Sequence, residues 1–372
     1  MKTSVPFADL AAQHASLRKE LDAAMGAVIQ KSAFIRGEEV DLFEKEFASV
    51  FGVSHCISCA NGTDALYIAL RALKIQPGDE VIVPAHTWIS TAETVTQAGG
   101  KVVFADTLPG QFVLDPKDVE KKMTPRTKGI MVVHLYGLPA PMEELCALAQ
   151  KKGLWIIEDC AQAHLAEYKG RKVGTFGRIS TFSFYPGKNL GAMGDAGAIV
   201  TEDSELAEWM TLYARHGGKG DHQIEGINSR LDGLQAAVLR VKLPHLEKWT
   251  RLRIEAAKRY DHLLQGIAGL EIPNRPPDRR HVYHLYAVLV EHRDELQIFL
   301  KKQGIETVIN YRKALPFLPA YARLNHLTED FPNSHRVQGR TLSLPLFPEI
   351  TVAQQEQVAQ AVRKFYGQHE LE

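Results

Sequence analysis

The chain predicts an α/β fold: a large domain over residues 1–244, its mostly parallel sheet covered by helices, and a smaller α+β domain over residues 245–372. Three observations point there. Near-continuously apolar runs such as Val81-Ile82-Val83 and Ile130-Met131-Val132-Val133 alternate with helical patterns, and a strand apolar on both faces is buried on both faces. A proline-rich break at Pro273, Pro276 and Pro277 marks a turn or linker, after which the pattern shortens. The 372 residues, 45% apolar and 24% charged, leave room for two units of roughly 100–200 residues each. The boundary is placed in a helical stretch near Leu243-Pro244.

The elements follow in order. Residues 9–33 carry the helical period, with Leu10, Leu17, Leu21, Met25, Val28 and Ile29 on one face, and a second amphipathic segment runs through Val40, Phe43 and Phe47. Cys56 to Leu66 reads as strand, Gly turn and helix start. Strands then come at 81–84, 102–104, 129–134 and 154–157, with helices at 90–98, 116–122 and 141–152 between them. A strand over 179–185, rich in β-branched and aromatic residues, ends at Pro186-Gly187. Another strand is expected at 197–201, and helices from 205 to about 264. The small domain is read as strand 281–290, helix 294–303, strand 307–310 and helix 352–366.

Composition removes several function classes. With 44 basic and 44 acidic residues, the chain lacks the basic surplus of a nucleic-acid or anionic-membrane binder. No apolar run approaches the roughly 18–20 residues of a membrane span, and no secretory h-region follows Met1. The cysteines are Cys56, Cys59, Cys146 and Cys160. The C-x-x-C pair has no partner pair or paired histidines for zinc, and falls on a strand rather than at a helix start. Buried, reduced thiols in a cytoplasmic protein are expected.

Three windows carry chemistry. Lys188 lies in Phe184-Tyr185-Pro186-Gly187-Lys188-Asn189-Leu190-Gly191, just past a strand's C-terminal end, where open α/β sheets place ligands. An apolar setting lowers a lysine's pKa, and a neutral amine attacks carbonyls; alone, the window also suits an ordinary loop lysine. Asn61-Gly62-Thr63 feeds a helix N-terminus, which offers a phosphate site or a plain N-cap. Glu158-Asp159 closes an apolar strand, with Gln162 three residues on. A carboxylate there either keeps a pyridine nitrogen protonated or caps the next turn.

Together these windows resemble the DegT/StrS-type sugar aminotransferases, pyridoxal-phosphate enzymes of fold-type I. The resemblance rests on N-G-T-D-A-L at 61–66, E-D-x-A-Q at 158–162, F-S-F-Y-P-G-K-N-L-G at 182–191, G-D-A-G-A at 194–198 and N-S-R-L-D-x-L-Q-A-A at 228–237, five motifs in order across nearly the whole chain. It implies that Lys188 attaches the cofactor covalently and later shuttles a proton, while Asp159 pairs with the ring nitrogen. Gln162 and Trp88 would face the two sides of the ring, Trp88 reading otherwise as a core tryptophan. Gly62, Thr63 and Ser183 would hold the phosphate. Asn228, accompanied by Arg230, would reach the phosphate of the other subunit, so that a homodimer shares its active sites. Tyr185, Asn310, Tyr311 and Arg312 would lie on the substrate side.

The implied reaction moves an amino group, commonly from glutamate, onto a keto sugar linked to a nucleotide diphosphate, for amino sugars of surface glycans such as lipopolysaccharide O-antigen or of glycosylated metabolites. Gln162, where 4-keto enzymes more often carry His, and the run Asn189 to Gly197 resemble the 3-aminating branch. The family's H-Y-P is Asn310-Tyr311-Arg312 here; Arg312 suits a diphosphate, a sugar carboxylate or plain solvent. Rival readings are a 4-keto sugar enzyme, a keto-cyclitol aminotransferase, a dehydratase of the same fold, which would carry His in place of Lys188, and a sensor or regulatory protein that keeps the fold.

Overall fold

A computed structural model describes residues 4–369. The N-terminal helices are α1 (Leu10–Ser16), α2 (Arg18–Lys31) and α3 (Glu38–Phe51). Strands and helices then alternate: β1 (His55–Cys59), α4 (Gly62–Ala72), β2 (Glu80–Pro84), α5 (Ser90–Gln97), β3 (Lys101–Ala105), α6 (Pro116–Lys122), β4 (Thr127–Val133), α7 (Met142–Lys152) and β5 (Trp155–Asp159). Two short strands, β6 (Glu167–Tyr168) and β7 (Arg171–Lys172), precede β8 (Ile179–Ser183) and β9 (Gly197–Thr201). Helices α8 (Ser204–Tyr213), α9 (Gly233–Lys242) and α10 (Leu246–Leu264) follow. The C-terminal part holds β10 (Leu270–Glu271), β11 (Arg279–Arg280), β12 (Tyr286–Val290), α11 (Arg293–Lys302), α12 (Pro332–Gln338), β13 (Thr341–Leu344) and α13 (Val352–His369).

The central sheet has the order β1-β9-β8-β5-β4-β2-β3. Only β9 runs against its neighbours β1 and β8; the pairs β8/β5, β5/β4, β4/β2 and β2/β3 are parallel. The apolar runs fill both faces. On one face Phe43, Phe47 and Phe51 of α3 meet Phe182 and Phe184, with Phe47 and Phe182 edge to face at 5.0 Å. On the other, α4 and α5 cover Ile57, Val81, Val83, Met131 and Ile157. A separate core surrounds β10-β12-β13 with α10, α11 and α13, and Val5 joins it by a bridge to Ile305.

Four sequence expectations give way to tertiary context. Residues 307–310 form no strand; Val308 makes a lone bridge to Ser343 of β13, and β13 takes the sheet position instead. The expected strand 281–290 is broken, because Tyr283 has φ +47° and only 286–290 pair in that sheet. The helical stretch 205–264 is interrupted over 214–232, where Gly217, Gly218 and Gly220 all have positive φ. The expected strand 179–185 stops at Ser183, where β9 pairing ends at Gly197.

The aromatic cluster fixes β8, the strand leading to Lys188. Phe182 is fully buried, so Phe182→Ala is expected to destabilise the protein by about 3–5 kcal/mol. The measurement is urea unfolding, with a lower midpoint at unchanged slope; a loss below about 1 kcal/mol would contradict this packing role.

Candidate active site

Strands β5 and β8 are parallel neighbours, so their C-terminal ends lie side by side. Asp159 ends β5 and is 7% exposed. Its Oδ1 accepts from the Ala161 N–H at 3.1 Å and its Oδ2 from the Thr91 hydroxyl at 3.2 Å. Burial raises its pKa; the Ala161 N–H, the charge of Lys188 and Thr91 only partly counter that. Lys188 follows β8 in a tight loop, its own N–H donating to the Tyr185 carbonyl at 2.8 Å. Lys188 is half-buried as a residue, and desolvation of its amine draws the pKa down to about 8 against the pull of Asp159. The site therefore holds an amine less basic than usual beside a carboxyl less acidic than usual.

The loop and strand carrying these groups are held from behind. A Cβ on Gly191 would sit 2.2 Å from the Pro186 carbonyl oxygen, so the loop closes only around glycine. The buried Lys242 Nζ donates to the Gly191 carbonyl at 2.7 Å. Glu158, one residue before Asp159, accepts from His134 Nε2 at 3.0 Å, from the N–H groups of Gly174, Phe176 and Gly177 at 2.8, 2.7 and 2.6 Å, and from the Ser180 hydroxyl at 3.2 Å. Burial alone would raise its pKa, but these donors, His134 foremost, bring it below the usual carboxylate value. Cys160 lies beside this pair, but the Glu158 oxygens are already occupied by protein donors.

A second group of residues forms at the β1–α4 turn. The Asn61 side chain caps α4 by accepting from the Asp64 N–H at 2.8 Å, leaving the first N–H groups of the helix pointing out of its end. A Cβ on Gly62 would lie 2.7 Å from Ser183 Cβ, so Gly62 and Ser183 touch across the turn. The Thr63 hydroxyl sits 2.8 Å from Ser90 Oγ. Ser229 ties the irregular segment 214–232 to the same turn, accepting from the Ala60 N–H at 3.0 Å and donating to Asp64 Oδ2 at 2.6 Å. Its neighbours Asn228, which is exposed, and Arg230, which is half-buried, flank that anchor.

The third group comes from three elements. The Gln162 carbonyl oxygen accepts from the Tyr136 N–H at 2.7 Å, and its amide donates to the Tyr311 hydroxyl at 3.2 Å. Trp88 is 56% exposed, so the core-tryptophan alternative fails; its ring lies 5.5 Å from that of Tyr311. Asn310 receives the Ser343 hydroxyl at 3.2 Å on its side chain and the Tyr136 hydroxyl on its backbone carbonyl. Tyr185 is exposed, its N–H 3.3 Å from Ser183 Oγ. Arg312 does not join this group: it is exposed and donates to Asp294 and Gln297 of α11 at 3.3 Å each, which uses the guanidinium as a surface contact.

Sequence reasoning missed Thr91, Ser90, Tyr136 and two histidines. His284 shares a hydrogen bond with the Asn189 side chain at 3.3 Å. Burial first and the Lys188 charge next hold both His284 and His164 in the neutral form. Thr91 lies 68 positions before the carboxylate it serves, and only its place in Thr87-Trp88-Ile89-Ser90-Thr91 hinted at a role.

These donors and acceptors fit a phosphorylated pyridine aldehyde. There is an amine for the aldehyde, a buried carboxyl for a ring nitrogen, an amide and an indole for the faces, and a glycine turn at a helix N-terminus for a phosphate.

Comparison with known proteins agrees. Residues 15–363 match the model of the DegT/DnrJ/EryC1/StrS aminotransferase family. The chain is 43% identical to a Geobacillus stearothermophilus protein named as a pleiotropic regulatory protein, over 98% of this chain and 99% of that one. It is also 43% identical to the dTDP-3-amino-3,4,6-trideoxy-α-D-glucose transaminase of Streptomyces venezuelae, over 97% of this chain and 96% of that one. The crystal structure of S. venezuelae DesV in complex with a ketimine intermediate superposes with a TM-score of 0.95, at 43% identity and 98% coverage of both chains. Fold and sequence agree across the chain, which belongs to the DegT/DnrJ/EryC1/StrS aminotransferase family.

Proposed function

We propose that this aminotransferase moves an amino group from glutamate to the 3-position of a keto sugar carried on a nucleoside diphosphate, with pyridoxal phosphate as cofactor. The observation that carries the reading is the amine of Lys188, its pKa drawn down to about 8, beside the buried Asp159 at the ends of two adjacent strands. The name of the S. venezuelae relative supports the 3-position. The product would enter surface glycans, such as O-antigen, or glycosylated metabolites. We read the working unit as a cytoplasmic homodimer, with Asn228 and Arg230 of one subunit completing the site of the other.

Bound here, the cofactor supplies the electron sink that makes a substrate Cα–H acidic. The protein does the rest. Lys188 anchors the cofactor through Nζ, then takes the proton from the donor's α-carbon and returns it elsewhere along the same face. Asp159 keeps the ring nitrogen protonated, and Thr91 and the Ala161 N–H hold its oxygens in place. Gln162 and Trp88 bound the ring; Gly62, Thr63 and Ser183 bind the phosphate through the α4 terminus and two hydroxyls. Tyr185, Asn310 and Tyr311 face the acceptor sugar. Arg312, engaged with α11, is left out of the substrate site.

A regulatory reading is favoured by one observation, the printed name of the Geobacillus relative. A purely regulatory chain has no need of the amine–carboxyl pair. The deciding experiment supplies glutamate with nucleotide-linked 3-keto sugars, 4-keto sugars and keto-cyclitols, and reads products by mass and NMR. Amination of the 3-keto sugar is expected; turnover of a 4-keto sugar or cyclitol alone would reassign the substrate, and no turnover at all would favour regulation.

Two further outcomes are expected. Borohydride should fix the cofactor on Lys188, as peptide mass mapping reads. Because a lowered pKa means the proton leaves earlier, cofactor loading of the stripped protein should quicken roughly tenfold from pH 7 to 9, with a midpoint near 8. Label on another lysine, or a midpoint near 10, would remove Lys188 from this role. Asp159→Asn should still bind cofactor but lose at least about 100-fold in turnover; near-normal rates would refute its pairing with the ring nitrogen.

A further inference from the structure

Tyr136 follows β4 in a turn where its own φ is +59° and that of Gly137 is +95°. An aromatic residue at positive φ is strained, and such a residue persists only where its surroundings hold it on several sides. Here they do. The buried phenol packs edge to face on Phe112, centroids 4.8 Å apart. Its hydroxyl donates to the Asn310 carbonyl and lies 3.2 Å from His86 Nε2. Because that hydroxyl has one proton and gives it to Asn310, His86 must be the donor in the second contact. Burial keeps His86 neutral, its pKa drawn down to about 4 against a hydrogen bond to the Asn310 backbone, so its single N–H, on Nε2, is shared between the Tyr136 hydroxyl and Asn310, and Nδ1 has no partner among the described residues.

The contacts close a circuit. The Tyr136 N–H holds the Gln162 carbonyl oxygen at 2.7 Å, the Gln162 amide holds the Tyr311 hydroxyl at 3.2 Å, Tyr311 is bonded to Asn310, and Asn310 returns to the Tyr136 hydroxyl. Tyr311 also meets Trp88, ring to ring at 5.5 Å. Gln162 and Trp88 are the two residues read above as facing the cofactor ring, and Tyr311 touches both.

We propose that Tyr136 is a positioning residue of the reaction: it fixes Gln162 and Tyr311 relative to each other, and so sets the slot between Gln162 and Trp88 into which the flat ring enters. This rests on the reading of Gln162 and Trp88 given under the proposed function. Tyr136 itself touches neither cofactor nor sugar; it acts from behind the slot through one backbone and one side-chain hydrogen bond.

The test uses cofactor-loaded protein and the variants Tyr136→Phe, Tyr311→Phe and their combination, with far-ultraviolet dichroism and melting to check folding. Tyr136→Phe removes only the hydroxyl and leaves the backbone N–H on Gln162. Each single change is expected to shift the visible band of the bound cofactor, to weaken cofactor binding about three- to tenfold, as the loss of one neutral hydrogen bond does, and to raise KM for the keto sugar more than it lowers kcat. The double variant should match the worse single variant within about twofold, because the circuit is already open. An unchanged band and affinity in Tyr136→Phe, or effects that multiply in the double variant, would overturn the inference. If Tyr136→Phe does not fold, Phe112→Leu decides in its place, since it loosens the ring on which the Tyr136 phenol packs and has no assigned part in the site; an unchanged band and affinity there would overturn the inference. A wild type that borohydride leaves unlabelled at Lys188 would overturn the underlying reading together with the inference; a labelled wild type with an indifferent Tyr136→Phe overturns the inference alone.

Discussion

The constraint on which the structure turns is the shared burial of Lys188 and Asp159. Each charge is costly to desolvate, and each is made tolerable by the other. Their balance leaves the amine easier to deprotonate and the carboxyl easier to protonate than in water. Water would erase both effects, so the fold must keep the ends of β5 and β8 adjacent and covered. The parallel pairing of β5 with β8 keeps the ends adjacent, and the Gly62 turn closes against Ser183 at the end of β8.

Such a pair needs rigid support, and the supports are polar groups buried with full partners. Glu158 is the clearest case: five donors surround its two oxygens, and one of them, His134, is fixed in turn by the Ala140 N–H at 3.0 Å on Nδ1. That acceptor role forces the proton onto Nε2, so His134 serves Glu158 as a neutral donor. Glu158 thereby joins β4, β5, β8 and the 174–177 turn into one piece. Lys242 plays the same part for the loop that carries Lys188. It is fully buried, faces the Gly191 carbonyl and His14 Nε2 at 2.9 Å rather than a carboxylate, and burial draws its pKa down to about 8. Asp106 links the C-terminal part to the sheet, accepting from the Asn333 and Ser334 N–H groups at 2.9 and 2.8 Å.

The sheet was legible in the sequence because buried parallel strands are written as apolar runs: the runs at 81–84, 129–134 and 197–201 each became a central strand. Lys188, Asp159, Gln162 and the Gly62 turn were legible because each sits in a local motif beside a strand end. What could not be read depends on packing between distant segments. The run Thr307 to Asn310 has β propensity, but β13, of the same length, makes the ladder with β12. Arg312 offered a free cation on paper, and only the approach of α11 shows it engaged. Thr91 and Tyr136 carry no local signature, since their partners are 68, 26 and 174 positions away.

That last set follows a rule of the sheet order. Lys188, Tyr136 and Thr91 come after β8, β4 and β2, and Asp159 ends β5; these are four consecutive strands of one parallel run. Parallel strands joined by helices deliver all their C-terminal ends to one edge, so residues scattered over a hundred positions arrive there in spatial order. Local propensity has little say at that edge, and the chain breaks local rules there: an aromatic residue at positive φ, a lysine whose pKa burial draws down, a carboxyl with two donors where its neighbour has five. Each departure has at least one partner from a distant segment: Asn310 and Gln162 for Tyr136, Asp159 for Lys188, and Thr91 for Asp159. A substitution at one of these strand ends is therefore felt at the others, and the chemistry belongs to the order of the strands as much as to any one residue.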